Sequence, residues 1–291
     1  MKVLVAGAAG QVGRELAAEL GAELSWSGDR AALDVTREDD VRALVGRLRP
    51  DVIVNAAAYN KVDAAESEPG LALEVNALGP LALARAAREV GALVVHFSSD
   101  YVFDGAVERP YREEDAARPL GAYGVSKLAG EHLVAATTPS HLVVRTSGVF
   151  GRGGSRQKGG SFVARILEQA RAGHPLRVVS DLTFSPTYAV DLAHAVMSLV
   201  RSGARGLVHV TNSGACSWHA LAVETLAVAG LSAEVEPVAA ASLALPAARP
   251  RYSVLDVSRA RSLGLAPLRP WQEALRESLR EPARSAAAGP V

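Results

Sequence analysis

A short apolar run, Val3-Leu-Val-Ala6, passes directly into Gly7-Ala-Ala-Gly10-Gln-Val-Gly13, and an amphipathic stretch follows over residues 11–20. Strand, glycine loop and helix in this order constrain the fold more than any other feature of the chain. Small residues at Gly7 and Gly10 let a pyrophosphate approach backbone N–H groups at the positive end of the helix, and Gly13 lets helix and strand pack closely. The same G-x-x-G-x-x-G spacing also serves tight βα turns, so its context decides its meaning.

That context is periodic. Apolar β-rich runs at 2–6, 22–26, 51–55, 92–97 and 141–146 alternate with amphipathic stretches at 11–20, 38–48, 69–90 and 123–136, and a further run lies at 207–210. Strands separated by helices of this length build βαβ units, so the fold class is α/β, a doubly wound parallel sheet of Rossmann-like type. Only 5% of the residues are aromatic although 49% are apolar, which makes the core one of Ala, Val and Leu, as beneath the helices of a parallel sheet. At residues 151–160 a glycine- and arginine-rich loop changes the character of the chain. Residues 1–150 with 187–212 read as a dinucleotide-binding domain, and 151–186 with 213–291 as a smaller C-terminal substrate-binding lobe whose last residues, 284–291, fray.

Composition excludes other classes. The 31 basic and 31 acidic side chains leave no formal net charge, which argues against a nucleic-acid partner. The most apolar stretch, 220–248, is broken by Glu224, Gly230, Glu234, Glu236 and Pro246 and does not read as a membrane span. The single cysteine, Cys216, has no internal partner, and no leader pattern is apparent, so a cytoplasmic protein is expected. The seven histidines lack ligand spacing with carboxylates, and no metal is expected.

The second β run leads into Ser27-Gly-Asp29-Arg30. An acidic residue there binds a ribose 2′-hydroxyl, whereas an arginine favours a 2′-phosphate. Both are present, so Arg30 tilts the reading toward NADPH and NADH stays open. Asp34-Val35 is placed to meet the adenine edge, or else Asp34 caps a helix beginning near Thr36. After the third run, the small side chains of Ala56, Ala57 and Ala58 let the backbone approach a coenzyme, or a helix approach a strand.

Tyr123-Gly-Val-Ser-Lys127 sets a phenol and an ammonium four residues apart, on one face of a helix that begins near Pro119 and Gly121. A lysine cation near a phenol favours the phenolate and makes a proton donor and acceptor that works near neutral pH. The lysine can also hold a coenzyme ribose. Only four lysines occur, at 2, 61, 127 and 158, among 31 basic residues, so a lysine at 127 suggests chemistry that arginine cannot supply. Ser98-Ser99-Asp100-Tyr101 closes the fourth run, at the sheet edge where doubly wound folds bind ligands, and the Ser99 hydroxyl can polarise a carbonyl as hydride arrives.

These residues resemble the extended short-chain dehydrogenase/reductases, and within them the dTDP-4-dehydrorhamnose reductase family, over essentially the whole chain. The resemblance runs through the glycine loop, Asn55-Ala-Ala-Ala58, Val62-Asp-Ala-Ala-Glu-Ser-Glu-Pro69, Phe97-Ser-Ser-Asp-Tyr-Val-Phe103, Tyr123 to Glu131, Arg145-Thr-Ser147, Pro186-Thr187, Arg249-Pro-Arg-Tyr-Ser-Val-Leu-Asp256 and Leu268-Arg-Pro-Trp271. It implies that Tyr123 is the general acid and Lys127 its pKa-lowering, ribose-holding partner. Ser99 would contact the substrate where the family usually has Thr, and Asp100 and Tyr101 would help hold the sugar. Gly10, Gln11, Val12, Asp34, Val35, Ala56, Ala57, Ala58 and Tyr59 would line NADPH or NADH. The implied reaction reduces the 4-keto group of dTDP-4-keto-6-deoxy-L-mannose to dTDP-L-rhamnose, a step of polysaccharide biosynthesis.

Two departures bear on the substrate. Gly148 stands where the family commonly has a tryptophan that packs on the sugar, and the basic loop 151–160 precedes Ser161, where the family often has Asn. Arg152, Arg156 and Lys158 could bind a nucleotide diphosphate there, or simply face solvent. The alternatives are a reductase or epimerase of another nucleotide-linked sugar, and a non-catalytic coenzyme-binding subunit resembling the regulatory subunit of methionine adenosyltransferase. The Ser-Ser-Asp-Tyr-Val-Phe run and the retained Tyr123, Lys127 and Ser99 favour the reductase. The stretches 69–90 and 123–136 could pair across a two-fold axis in a homodimer.

Overall fold

The computed structural model describes residues 1–151 and 160–280. In chain order, β1 (Val3–Ala6), α1 (Gln11–Leu20), β2 (Leu24–Gly28), α2 (Glu38–Leu48) and β3 (Val52–Asn55) come first. The short α3 (Ala64–Ser67) and α4 (Pro69–Leu73) precede α5 (Gly79–Val90), β4 (Leu93–Ser99), α6 (Ala122–Thr137), β5 (His141–Thr146) and β6 (Val149–Phe150). Then follow α7 (Phe162–Arg171), β7 (Leu176–Val179), β8 (Thr183–Phe184), β9 (Thr187–Tyr188), α8 (Ala189–Arg201) and β10 (Gly206–His209). Last come β11 (Cys216–Ser217), α9 (Trp218–Ala229), β12 (Val235–Val238), α10 (Ser258–Ser262) and α11 (Trp271–Arg280).

Six strands form a parallel sheet in the order β10-β5-β4-β3-β1-β2. Because β1 pairs with β2 on one side and β3 on the other, the loops leaving β1 and β3 part at their carboxyl ends and open a crevice. The two-residue alternation of a strand sends Val3 and Val5 to one face, with Leu16 of α1 and Leu192 and Val196 of α8. Leu4 and Ala6 go to the other, with Val41 and Val45 of α2 and Leu83 and Ala87 of α5. Alanines let those helices lie close on the sheet, which explains the aromatic-poor core.

A second group of elements packs on the carboxyl side of the sheet. β7 pairs parallel with β12 and β8 antiparallel with β11, while Phe150, Phe184, Tyr188, Leu221 and Trp271 form its main cluster. Among the described residues no helix is long and apolar enough to cross a membrane.

Two expected elements differ in detail. The second strand starts at Leu24 rather than 22, since Gly21–Glu23 forms a 3₁₀ turn. The single helix expected over 69–90 is interrupted at Glu74–Leu78 by a π-helical turn. Pro80 has no N–H to give the Asn76 carbonyl, so the regular ladder fails there.

Candidate active site

Helix α6 is drawn unusually close to its neighbours by small residues. A Cβ on Gly124 would stand 2.2 Å from the Tyr101 carbonyl oxygen, and one on Gly130 2.2 Å from that of Asn76. The approach carries Tyr123 and Lys127 to the carboxyl end of β4. There Tyr101 meets the Tyr123 ring edge-on, with centroids 5.9 Å apart. Ser99, Asp100, Tyr101, Tyr123 and Lys127 all line one cleft of about 1120 Å³.

Asn76 fixes this arrangement. Fully buried, it accepts from the Tyr59 N–H at 2.9 Å and donates to the Tyr59 carbonyl at 2.8 Å and to Ser126 Oγ at 2.9 Å. Ser126 in turn donates to the Tyr123 carbonyl at 2.7 Å. One amide thus ties the loop after β3 to the first turn of α6. Its only trace in the sequence is a polar residue inside an apolar helical stretch.

The Asp100 carboxylate is 3% exposed and receives three hydroxyls. Ser99 donates to Oδ1 at 3.0 Å, and Ser147 and Ser253 donate to Oδ2 at 2.7 and 2.6 Å. Burial raises its pKa while these bonds pull the other way. Asp100 therefore faces protein hydroxyls as well as the cleft. Arg249, on the cleft wall, binds Asp63 Oδ2 at 2.7 Å and stands beside Tyr101.

The electrostatics correct one expectation. Instead of being lowered by Lys127, the Tyr123 pKa is pushed up to about 12 by burial, with the neighbouring Ser99 lowering it and the Asp100 charge raising it. Lys127, 2% exposed, has its own pKa lowered to about 8 by burial, against the charge of Glu131. Glu131 is itself held by Arg145 through bonds of 2.8 and 2.7 Å. Burial thus favours the neutral phenol of Tyr123 and brings the Lys127 amine down toward neutral pH.

The other arm of the cleft is lined by Gly7, Gly10, Gln11, Val12, Arg30, Asp34, Val35 and Ala56 to Tyr59. Gly13 lies behind it, where a Cβ would stand 2.3 Å from the Gly7 carbonyl oxygen; one on Gly7, at φ +83°, would stand 2.4 Å from the Ala57 nitrogen. Helix α1 starts at Gly10 with no side-chain cap, leaving its first N–H groups for a ligand. Gln11 Nε2, Asn60 Oδ1, Ser98 Oγ and Thr146 Oγ1 are buried on this cleft without hydrogen-bond partners among the described residues, which fits a polar coenzyme. Asp34 does not cap α2: it accepts from the Thr36 N–H and hydroxyl at 3.1 and 2.7 Å, four residues before the helix, and from Arg30 Nε at 3.0 Å. Arg30 is thereby steadied at the rim. Arg152, Arg156 and Lys158 lie outside the described residues, as does 284–291. Among the described residues no group of three or more His, Cys, Asp or Glu could hold a metal.

Set beside known proteins, residues 1–284 match the RmlD substrate binding domain family. A dTDP-4-dehydrorhamnose reductase of Streptomyces griseus is 44% identical over 285 residues, spanning 94% of this chain and 92% of that one. A dTDP-4-keto-6-deoxy-D-glucose reductase of Streptomyces niveus is 39% identical over 279 residues, spanning 94% and 95%. The crystal structure of the Bacillus anthracis dTDP-4-dehydrorhamnose reductase in complex with NADP matches with a TM-score of 0.92 at 35% identity, covering 96% of this chain and 99% of that one.

Proposed function

The chain belongs to the RmlD substrate binding domain family, and from that membership we propose that it reduces the 4-keto group of dTDP-4-keto-6-deoxy-L-mannose to dTDP-L-rhamnose. NADPH is the expected hydride donor, with NADH as a second coenzyme, in line with the NADP complex of the Bacillus anthracis relative. The observation that carries the reading is the placing of Tyr123, Lys127 and Ser99 on the same cleft as the glycine loop.

When bound, the reduced nicotinamide supplies the hydride. The chain's residues do the rest. Backbone N–H groups at the start of α1 hold the pyrophosphate, and Lys127 holds the ribose next to the nicotinamide. The Ser99 hydroxyl, turning its one proton from Asp100 to the substrate, donates a hydrogen bond to the keto oxygen, and Tyr123 gives that oxygen its proton as negative charge develops. A phenol whose pKa burial pushes up to about 12 is protonated before the step.

The Streptomyces niveus relative acts, by its name, on a different dTDP-4-keto-6-deoxy sugar, so a sister keto sugar is the second reading; Gly148 beside the catalytic end favours testing it. The experiment follows NADPH and NADH oxidation with dTDP-4-keto-6-deoxy-L-mannose generated in the same vessel. Turnover to dTDP-L-rhamnose is expected. Tight coenzyme binding without turnover would move the assignment to the sister sugar or to a non-catalytic subunit.

A further inference from the structure

Gly148 follows the Ser147 that is bonded to Asp100, so its neighbourhood belongs to the catalytic end of the cleft. Its φ is +51°, and a Cβ there would stand 2.1 Å from Phe184 Cε2. The Phe184 ring, 2% exposed, therefore already fills the space that a side chain at 148 would need. That ring is stacked on Trp218, with centroids 4.0 Å apart and planes at 19°, and Trp218 in turn meets the edge of Phe162 at 4.8 Å. Trp218 lines the cleft, whereas Phe184 does not.

The stack is rigidly seated. Phe184 pairs with Cys216 across β8 and β11, and Trp218 begins α9 immediately after Ser217, whose hydroxyl caps the helix by accepting from the Ala220 N–H at 3.1 Å. Two rings fixed by a strand pair and a capped helix lose little freedom on meeting a ligand, which suits a flat, carbon-rich partner.

Resting on the proposed function, we infer that Trp218, backed by Phe184, is the surface on which the glycosyl group of the nucleotide sugar packs, and that position 148 is glycine because the backing ring occupies its place. The aromatic wall of the sugar site is thus supplied by α9 rather than by the end of β5.

Trp218 fluorescence reads this directly. Addition of dTDP-L-rhamnose should quench the wild-type protein, the quench should vanish in Trp218→Phe, and thymidine diphosphate, which lacks the sugar, should leave the emission unchanged. In turnover, Trp218→Ala should raise KM by about tenfold with little change in kcat, and Trp218→Phe should restore most of it. Calorimetry run alongside separates the failures. Nucleotide sugar that binds without altering Trp218 emission overturns this inference alone, as does an equal quench by thymidine diphosphate. Absence of any nucleotide-sugar binding overturns the proposed function and this inference with it.

Discussion

Ser253 Oγ donates to Asp100 Oδ2 at 2.6 Å, across 153 positions of sequence, and so joins the segment after Arg249 to the end of β4. The same carboxylate orients Ser99. Ser253→Ala withdraws one donor from a buried acceptor, which costs about 1–3 kcal/mol, and loosens the group that positions the Ser99 hydroxyl. A lower urea midpoint and a reduced kcat are expected, with coenzyme affinity kept. Unchanged kcat would confine Ser253 to a structural role.

Tyr123→Phe removes the hydroxyl proposed as proton donor and leaves the ring that packs on Tyr101. Loss of general acid catalysis is worth about 10²–10⁴ in rate, so reduction should nearly cease while NADPH still binds. Stopped-flow hydride transfer and coenzyme titration check the two halves separately. Wild-type rates in the variant would remove Tyr123 from the mechanism.

How much of this site was readable in the sequence depended on whether its parts are local. The glycine loop and the Tyr123–Lys127 pair sit within single elements, where period and spacing place them without knowledge of the fold. Asn76, Ser147 and Ser253 act at a distance: each meets its partner only after the loops after β3 and β5 and the segment after Arg249 have converged. The stack of Phe184 on Trp218 is likewise invisible until β8 and β11 pair. Four-residue spacing shows a cation on the helix face of a phenol and says nothing of burial, which raises the Tyr123 pKa.

Burial of Lys127 has a measurable price in stability. Its pKa falls from 10.5 to about 8, so between those values the unfolded chain binds a proton that the folded protein has lost, and stability rises with pH through that window. Below about 8 both states are charged and the full penalty stands, roughly 3 kcal/mol. Lys127→Met removes the penalty. Its stability relative to wild type should therefore be greatest near pH 7 and fall toward pH 10.5, while its affinity for NADPH drops at every pH. A stability gap independent of pH, measured by urea unfolding at pH 7 and pH 10, would mean that the amine keeps its ordinary pKa in the fold.

Arg30 is predicted to set the preference between the coenzymes. Its Nε is held by Asp34 Oδ2 at 3.0 Å, which leaves the guanidinium at the rim of the cleft beside Asp29, where the 2′ substituent of the adenosine ribose is expected. A charge-assisted bond from Arg30 to a 2′-phosphate is worth about 1.5–3 kcal/mol. Arg30→Ala should then raise the KM for NADPH by about tenfold to a hundredfold and leave that for NADH nearly unchanged. Salt gives an independent check: this rim is exposed, with the Arg30 side chain 70% accessible, so the wild-type preference for NADPH should weaken as ionic strength rises. Equal losses with both coenzymes would instead show that Arg30 supports the loop through Asp34, and the preference would have to come from another residue.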